Sequence, residues 1–325
     1  MTGVGLMKLI VTVDTEEDHW SRYRTIENRV ENIERLVPLQ ELFDNYDVRP
    51  TYLITYPVAT NPRSVAILKS ILEKGNCEIG AHCHPWNTPP FESEISEYTS
   101  MLCNLPEELQ YAKLKNLHEA ITQNFAVEPV SFRAGRWGFS SEVARCLLLL
   151  GFRVDSSITP FRDWAVYQGP DFSSYEPWPF RFSPNELTPR TNGELLQVPP
   201  SIGFLQSDFQ FCHRLSKLIS RRFHSKLHVY GLLDRLGLLN KVWLSPEHAD
   251  AGTMIKLSQR MKRLGFPCLN MTFHSPSLMA GLSPFVGTVQ EETLFLQRIE
   301  SVLQYAVGKR WESSTLSQYE AGFNN

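Results

Sequence analysis

"KLIVTVDTEED", residues 8–18, decides how this 325-residue chain is read. Its first part, "KLIVTVD" (8–14), is β-branched and apolar and is stopped by acidic residues, as a buried strand is. The same short runs recur along the chain at 50–58, 77–84, 129–135, 153–158, 195–201, 241–245 and 268–274. Helical patterns separate them. "NRVENIERLVPLQELFDNY" (28–46) carries an apolar stripe from Val30 to Phe43 that Pro38 kinks or divides. Residues 64–76 read as a helix ended by Gly75, and 106–125 as another. Residues 140–152 form a helix capped by Ser140 or Ser141, and 252–264 and 289–308 complete the set. About eight strands alternating with helices predict mainly parallel pairing with helical crossovers. That number over one domain's length points to an α/β fold, an irregular (β/α) barrel of about seven to eight strands. No repeat or linker is visible, so residues 1–325 are taken as one domain. It carries two insertions: a Pro- and aromatic-rich excursion at 159–194 and a helical region at 208–240.

Composition narrows the function. A net charge of −3 argues against a nucleic-acid partner, and "SRRFHSK" (220–226) reads best as a solvated helix face. The six cysteines form no C-x-x-C pair and sit in apolar contexts, as buried thiols in a reducing compartment do. No stretch approaches 18 uninterrupted apolar residues, so no transmembrane segment is expected. The N-terminal apolar run leads into "DTEED" without a cleavage pattern, which makes a cytoplasmic location the expectation.

In a barrel the active site forms at the C-terminal ends of the strands. Here those ends carry Asp14 and Glu16, His82 and His84, Arg133 to Arg136, Asp155, and Thr272 to His274. Alternate strand residues share a side, so Asp14 falls with Glu16 and His82 with His84. A carboxylate with two imidazoles is a three-ligand set for a divalent metal that keeps a place for water. Zinc is the default, and iron, cobalt or nickel also suits such ligands. A second carboxylate serves as general base, and His274 as general acid. Arg133 is placed to pair with the base, and Asp155 to bond the far nitrogen of His274.

Five stretches in this order resemble the motifs of the polysaccharide deacetylase family, carbohydrate esterase family four: "TVDTEED", "GAHCHPW", "SFRAGRWG", "RVDSSITP" and "MTFHSPSL". The likeness spans about residues 8–280. It implies an irregular (β/α) barrel and metal-dependent removal of acetyl groups from sugars, most often N-acetylhexosamines. Asp14 then takes the place of the base and Glu16 that of the acidic ligand, with Glu17 and Asp18 as alternatives. His82 and His84 take the histidine ligands, although the family spaces them four apart and here Trp86 holds that position. His274 takes the acid. A backbone N–H of Arg136 or Trp137 takes the oxyanion donor, and Trp86 and Trp137 offer faces to a sugar ring. The implied partner is an acetylated sugar or glycan precursor, such as one for a surface polysaccharide or lipopolysaccharide. Two other readings stay open: a hydrolase of a non-sugar C–N amide, and a silent sugar-binding or assembly protein. The sequence also leaves a homo-oligomer open.

Overall fold

A computed structural model of the chain describes residues 6–18, 20, 23–92, 94–206, 208–222 and 239–323. The opening stretch forms β1 (Lys8–Thr15), which lies inside the sheet. It is followed by β2 (Thr51–Ile54), β3 (Glu78–Cys83), β4 (Ser131–Ala134), β5 (Val154–Asp155), β6 (Phe180–Phe182), β7 (Leu195–Gln197), β8 (Ile202–Phe204), β9 (Lys241–Trp243), β10 (Cys268–His274) and β11 (Glu312–Ser313). The nine-stranded main sheet runs in the order β10-β1-β2-β3-β4-β5-β7-β6, with β11 paired beside β1. All its pairings are parallel except that of β6 with β7.

The crossovers are helical: α1 (Leu36–Asn45), α2 (Tyr56–Thr60), α3 (Pro62–Leu72), α4 (Glu107–Phe125), α5 (Ser141–Leu149), α6 (Phe209–Arg222), α7 (Ala251–Arg263), α8 (Val289–Gly308) and α9 (Leu316–Ala321). Pro38 sits in the first turn of α1, where its missing amide costs nothing. The division of the 28–46 stripe falls before it, where a 3₁₀ turn at Glu31–Arg35 passes into α1. Ser140 caps α5 by accepting from the Val143 amide.

Strand alternation sorts the interior. Leu9, Val11 and Val13 of β1 join the large apolar core, as do Leu269, Met271 and Phe273 of β10. Ile10 and Cys268 face the other way. They join Leu53, Val154, Leu196, Val198, Leu316 and Tyr319 in a small apolar cluster. Following Ile10 at a period of two come Thr12, Asp14 and Glu16; following Cys268 come Asn270, Thr272 and His274. The inner face thus passes from an apolar plug, through a polar layer, to titratable groups at the C-terminal strand ends.

The segment 241–245 departs from the expected parallel barrel strand. β9 pairs antiparallel with β8 in a separate two-stranded ladder. Pro199 and Pro200 lack the amides that would extend β7. The chain turns there, and β8 follows. The gap between β7 and β10 is bridged by single hydrogen bonds: Ser201 N donates to Asn270 O, Leu244 N to Ser201 O, and Thr272 N to Leu244 O. The barrel is irregular at this point. The 159–194 excursion contains one 3₁₀ turn, Ala165–Tyr167, and β6. Residues 223–238 of the second insertion, including most of the basic stretch at 220–226, lie outside the described residues.

Candidate active site

The end of β1 and the turn that leaves it place three acids in different surroundings. Glu16 faces inward, with its Oε2 3.3 Å from His84 Nε2 and 3.5 Å from His82 Nε2. Glu17 turns to the other ring nitrogen of His84, its Oε1 2.8 Å from Nδ1, and accepts from Thr55 Oγ1. Asp18 accepts from the backbone amides of Glu31 and Asn32 and from the Asn32 side chain. It fixes the entry to the 3₁₀ turn and does not reach the histidines.

Both histidines are presented by the same logic. His82 Nδ1 bonds Arg133 O across β3 and β4 (3.0 Å), and His84 Nδ1 bonds Glu17. Each partner is an acceptor, so each Nδ1 donates to it and each Nε2 is turned towards Glu16. These two nitrogens and the Glu16 oxygen lie within 4.8 Å of one another, and all three residues are buried. Donors around a tetrahedral ion at about 2.0–2.2 Å stand roughly 3.4 Å apart. The observed 3.3 and 3.5 Å fit a divalent metal of that size. The i, i+2 spacing works because both residues leave the end of one strand on the same side. Trp86, at the +4 position, stacks on the His84 ring instead (centroids 4.1 Å, 24°).

Two neighbours hold His84 in place. A Cβ on Gly135 would collide with the His84 ring and with Cys83 O (2.7 Å), so only glycine lets β4 end this close to β3. Lys113 of α4 is buried, and its ammonium donates to Pro85 O, Thr88 O and Pro90 O at 2.7–2.8 Å. All three of its protons tie down the loop that follows His84.

Asp14 lies beside this donor set. Arg133 is fully buried and uses all five of its N–H groups. They go to Asp14 Oδ1 (2.5 Å), Thr272 Oγ1, Thr12 Oγ1, Ser156 Oγ and Ser156 O. The guanidinium thereby knits β1, β4, β10 and the chain after β5 into one polar layer. It engages one Asp14 oxygen and leaves Oδ2 facing His274 Nε2 across 3.6 Å, beyond a hydrogen bond. Parallel pairing sets Asp14 directly opposite His274.

His274 is oriented by Glu247, not by Asp155. Its Nδ1 lies 2.9 Å from Glu247 Oε2, and its amide donates to Glu247 Oε1. Asp155 cannot play that part because alternation turns it to the opposite face. Val154 joins the inner cluster and Ser156 bonds Arg133, so Asp155 between them points outward. There it accepts from Ser157 N and Oγ, and the Gln197 side-chain amide lies 2.5 Å from its Oδ2. Glu247 was missed because "LSPEH" follows a short strand with no acid of its own. An acid just beyond a strand end, on the rim already holding Asp14 and His274, was the available signal.

Charge follows geometry. Burial alone would lower the His274 and His84 pKa values. The surrounding carboxylates outweigh it, Glu247 foremost for His274 and Glu17 for His84, and lift both to about 10. Burial would raise Glu16, but His274, His82 and His84 hold it well below the usual carboxylate range. Burial pushes Asp155 up to about 7.

Asp14, Glu16, Glu17, His82, His84, Glu247 and His274 line one pocket of about 470 Å³. Arg136 and Trp137 enter it from consecutive left-handed positions, φ 53° and 62°. Such strain on non-glycine residues is tolerated where the surroundings over-determine it. Trp137, Trp164 and Trp243 form one wall, Tyr23 and Trp86 stand near His84, and Trp20 packs edge-on against His274. His248 stacks on Trp243; His19 lies outside the described residues. Asp163 stays exposed and accepts from the Ala165 amide.

No protein-family model and no curated protein sequence matches the chain. Solved structures do. A protein of Parabacteroides distasonis assigned as a glycoside hydrolase/deacetylase aligns over 98% of this chain and 71% of its own, with TM-score 0.60 and 13% identity. The 4-α-glucanotransferase of Thermococcus litoralis aligns over 98% of this chain and 40% of its own, with TM-score 0.56 and 11% identity. A protein of Mycobacterium smegmatis assigned as a polysaccharide deacetylase covers 97% of this chain and 96% of its own, with TM-score 0.49 and 16% identity. The first two likenesses establish the fold, a mostly parallel, curled α/β barrel. Family-four carbohydrate esterases and pseudoenzymes of that family are also among the matching structures, at TM-scores of 0.44–0.46.

Proposed function

We propose that the protein is a metal-dependent deacetylase that removes an acetyl group, in the first instance the N-acetyl group of an amino sugar, from a carbohydrate or surface-glycan precursor. The reading rests on one observation. A three-donor metal set, Glu16, His82 and His84, shares a pocket with an Arg-held carboxylate and a Glu-held imidazole that face each other.

A divalent ion held by the three donors would supply an activated water and polarise the acetyl carbonyl. Zinc fits first, and iron, cobalt or nickel suits the same ligands. Asp14 Oδ2 would accept the water's proton, while Arg133 holds Oδ1 and so aims the carboxylate. A backbone N–H of the strained Arg136–Trp137 turn steadies the oxyanion. His274, held as the imidazolium by Glu247, protonates the departing amine, and acetate leaves.

Two features favour a working site over a silent one. The closely spaced histidines converge on Glu16, and every group assigned to proton transfer has an orienting partner. Among the described residues no helix is long and apolar enough to cross a membrane. The test is acetate release from a panel of N- and O-acetylated sugars by the metal-loaded protein, with chelated protein as control. Release that persists at full rate in Asp14→Asn removes Asp14 as base. A preparation that binds no divalent metal removes the reading itself.

A further inference from the structure

The pocket has a wall whose side chains touch one another in sequence. Starting from His274, Trp20 packs edge-on (centroids 4.8 Å) and meets Phe285 (5.4 Å). Phe285 meets His248 (5.0 Å), which stacks on Trp243 (5.0 Å, 21°). Trp243 meets Trp137 (5.5 Å), and Trp137 stacks with Trp164 (6.5 Å, 16°). Starting from His84, a second arc rises through Trp86 (4.1 Å) to Tyr23 (5.0 Å). The Arg136 guanidinium joins the two arcs. It lies 5.6 Å from the Tyr23 ring and 5.8 Å from that of Tyr167, which neighbours Trp164 (6.3 Å). The end of β1 completes the circuit, with Glu16 at His84 and Asp14 at His274. All of these side chains line the same cavity. Edge-on and offset ring contacts are attractive, so the wall is held by its own members.

The junction of the arcs is braced. Arg136 donates to Ser100 Oγ and Glu97 O and lies 3.4 Å from Glu97 Oε1, so its guanidinium acts as a strut. Asn104 Nδ2 donates to Tyr98 O and Gln168 O, which stitches that loop to the 159–194 excursion beside Tyr167. Trp164 Nε1 donates to Thr159 Oγ1 (2.8 Å). Below, the Arg133 layer and the apolar cluster beneath it seal the floor. The enclosed volume of about 470 Å³ is that of a small-molecule site, which runs from ~300 to 1,000 Å³.

A residue within a glycan is linked at two positions, so its chain must both enter and leave a site. Among the described residues, a circuit of touching side chains over a sealed floor leaves a single mouth. A terminal residue, linked once, needs no more. We infer that the site takes the acetylated residue at one end of a short glycan, or a free acetylated sugar, and rejects a residue within the chain. The sugar's C–H faces lie against the aromatic wall while its acetyl group reaches the donor cluster. The inference rests on the deacetylase reading for the bond that is cut; the single mouth stands on the wall.

The test incubates the metal-loaded protein with the dimer, trimer and tetramer of β-1,4-linked N-acetylglucosamine and measures acetate per chain at exhaustion. Each event consumes one water and releases one acetate, leaving one free amine. One acetate per chain is expected at every length, with mass-spectrometric fragmentation placing the amine on the same terminal residue. The kcat/KM per chain should change by less than about threefold from dimer to tetramer, because units beyond the first add no binding in the pocket. Tyr167 is half exposed, so Tyr167→Ala should fold, and it opens the wall beside Arg136. A second acetate from the tetramer is expected in that variant. Two or more acetates per chain from the wild-type protein overturn the inference and leave the deacetylase reading intact. A variant that still stops at one acetate overturns the wall as the cause. If no compound releases acetate, the reaction reading is what fails. Quenching of tryptophan fluorescence then decides: affinities for N-acetylglucosamine and its tetramer within about threefold support a one-residue pocket, and a larger gap, or no binding, rejects it.

Discussion

Glu247 and His274 come from neighbouring strand ends and meet with Oε2 2.9 Å from Nδ1, which fixes the imidazole so that Nε2 faces Asp14. Glu247 also lifts the pKa of His274. If His274 is the acid, His274→Ala should lower kcat by about 10²–10⁴, the range for general acid catalysis. Glu247→Gln should lower it less and also move the alkaline limb of the pH–rate profile to lower pH, since the imidazolium then loses its proton sooner. A profile between pH 6 and 10 for wild type and Glu247→Gln checks this. An unmoved alkaline limb assigns that limb to another group.

Glu17 touches His84 on the side away from Glu16. Outer partners of ligating histidines typically contribute about 10- to 100-fold in metal affinity. Glu17→Gln is expected to weaken zinc binding by that factor, and His84→Ala to weaken it further. Trp86→Phe, which keeps a ring over His84, should bind nearly as wild type. Competition with a chromogenic chelator ranks the four proteins. Wild-type affinity in His84→Ala removes His84 from the ligand set.

Gly135 lets the ends of β3 and β4 approach. In Gly135→Ala the new methyl must displace the His84 ring or the Cys83 carbonyl, and such overpacking costs about 1–3 kcal/mol. The expected result is a lower midpoint of urea unfolding together with a larger loss of bound metal. Unaltered metal content at reduced stability would mean that the backbone, not His84, yields.

Asp155 gives the clearest pH dependence of stability. Its folded pKa of about 7 lies above that of an unfolded aspartate. The folded state therefore holds the proton more tightly between about pH 4 and pH 7, and this group's contribution to stability falls as pH rises through that window. Full ionisation costs roughly 4 kcal/mol on this account. Asp155→Asn should flatten the decline in unfolding free energy over that range. Parallel curves for wild type and variant would show that Asp155 ionises without penalty.

Much of this was legible in the sequence because strand ends advertise themselves. A buried apolar run that stops at Asp14, His82 or His274 gives both the element and the direction in which its last residues point. Glu16, His82 and His84 meet as strand alternation predicts. The same rule, applied one residue further, would have turned Asp155 away from His274. Its position near a rim was read without its parity. Glu247 was hidden for another reason: it sits on an irregular segment, where no period tells which way a side chain faces. The antiparallel β8–β9 ladder was obscured by length, since three-residue strands beside a proline pair carry too few positions to show their partner.

The register that sets Asp14 against His274 has a consequence for how the molecule acquires its chemistry. The two residues are separated by 260 positions and are brought together only when β10 docks on β1. Pairing of such sequence-distant strands is slow, because a long loop must close before any contact offsets its entropy. β1 can pair with β2, and β2 with β3, well before that, so the metal donors from β3 and the end of β1 can assemble early. Metal capture and catalytic competence should then arise at different times during refolding, with activity reporting the closure of the barrel's last seam.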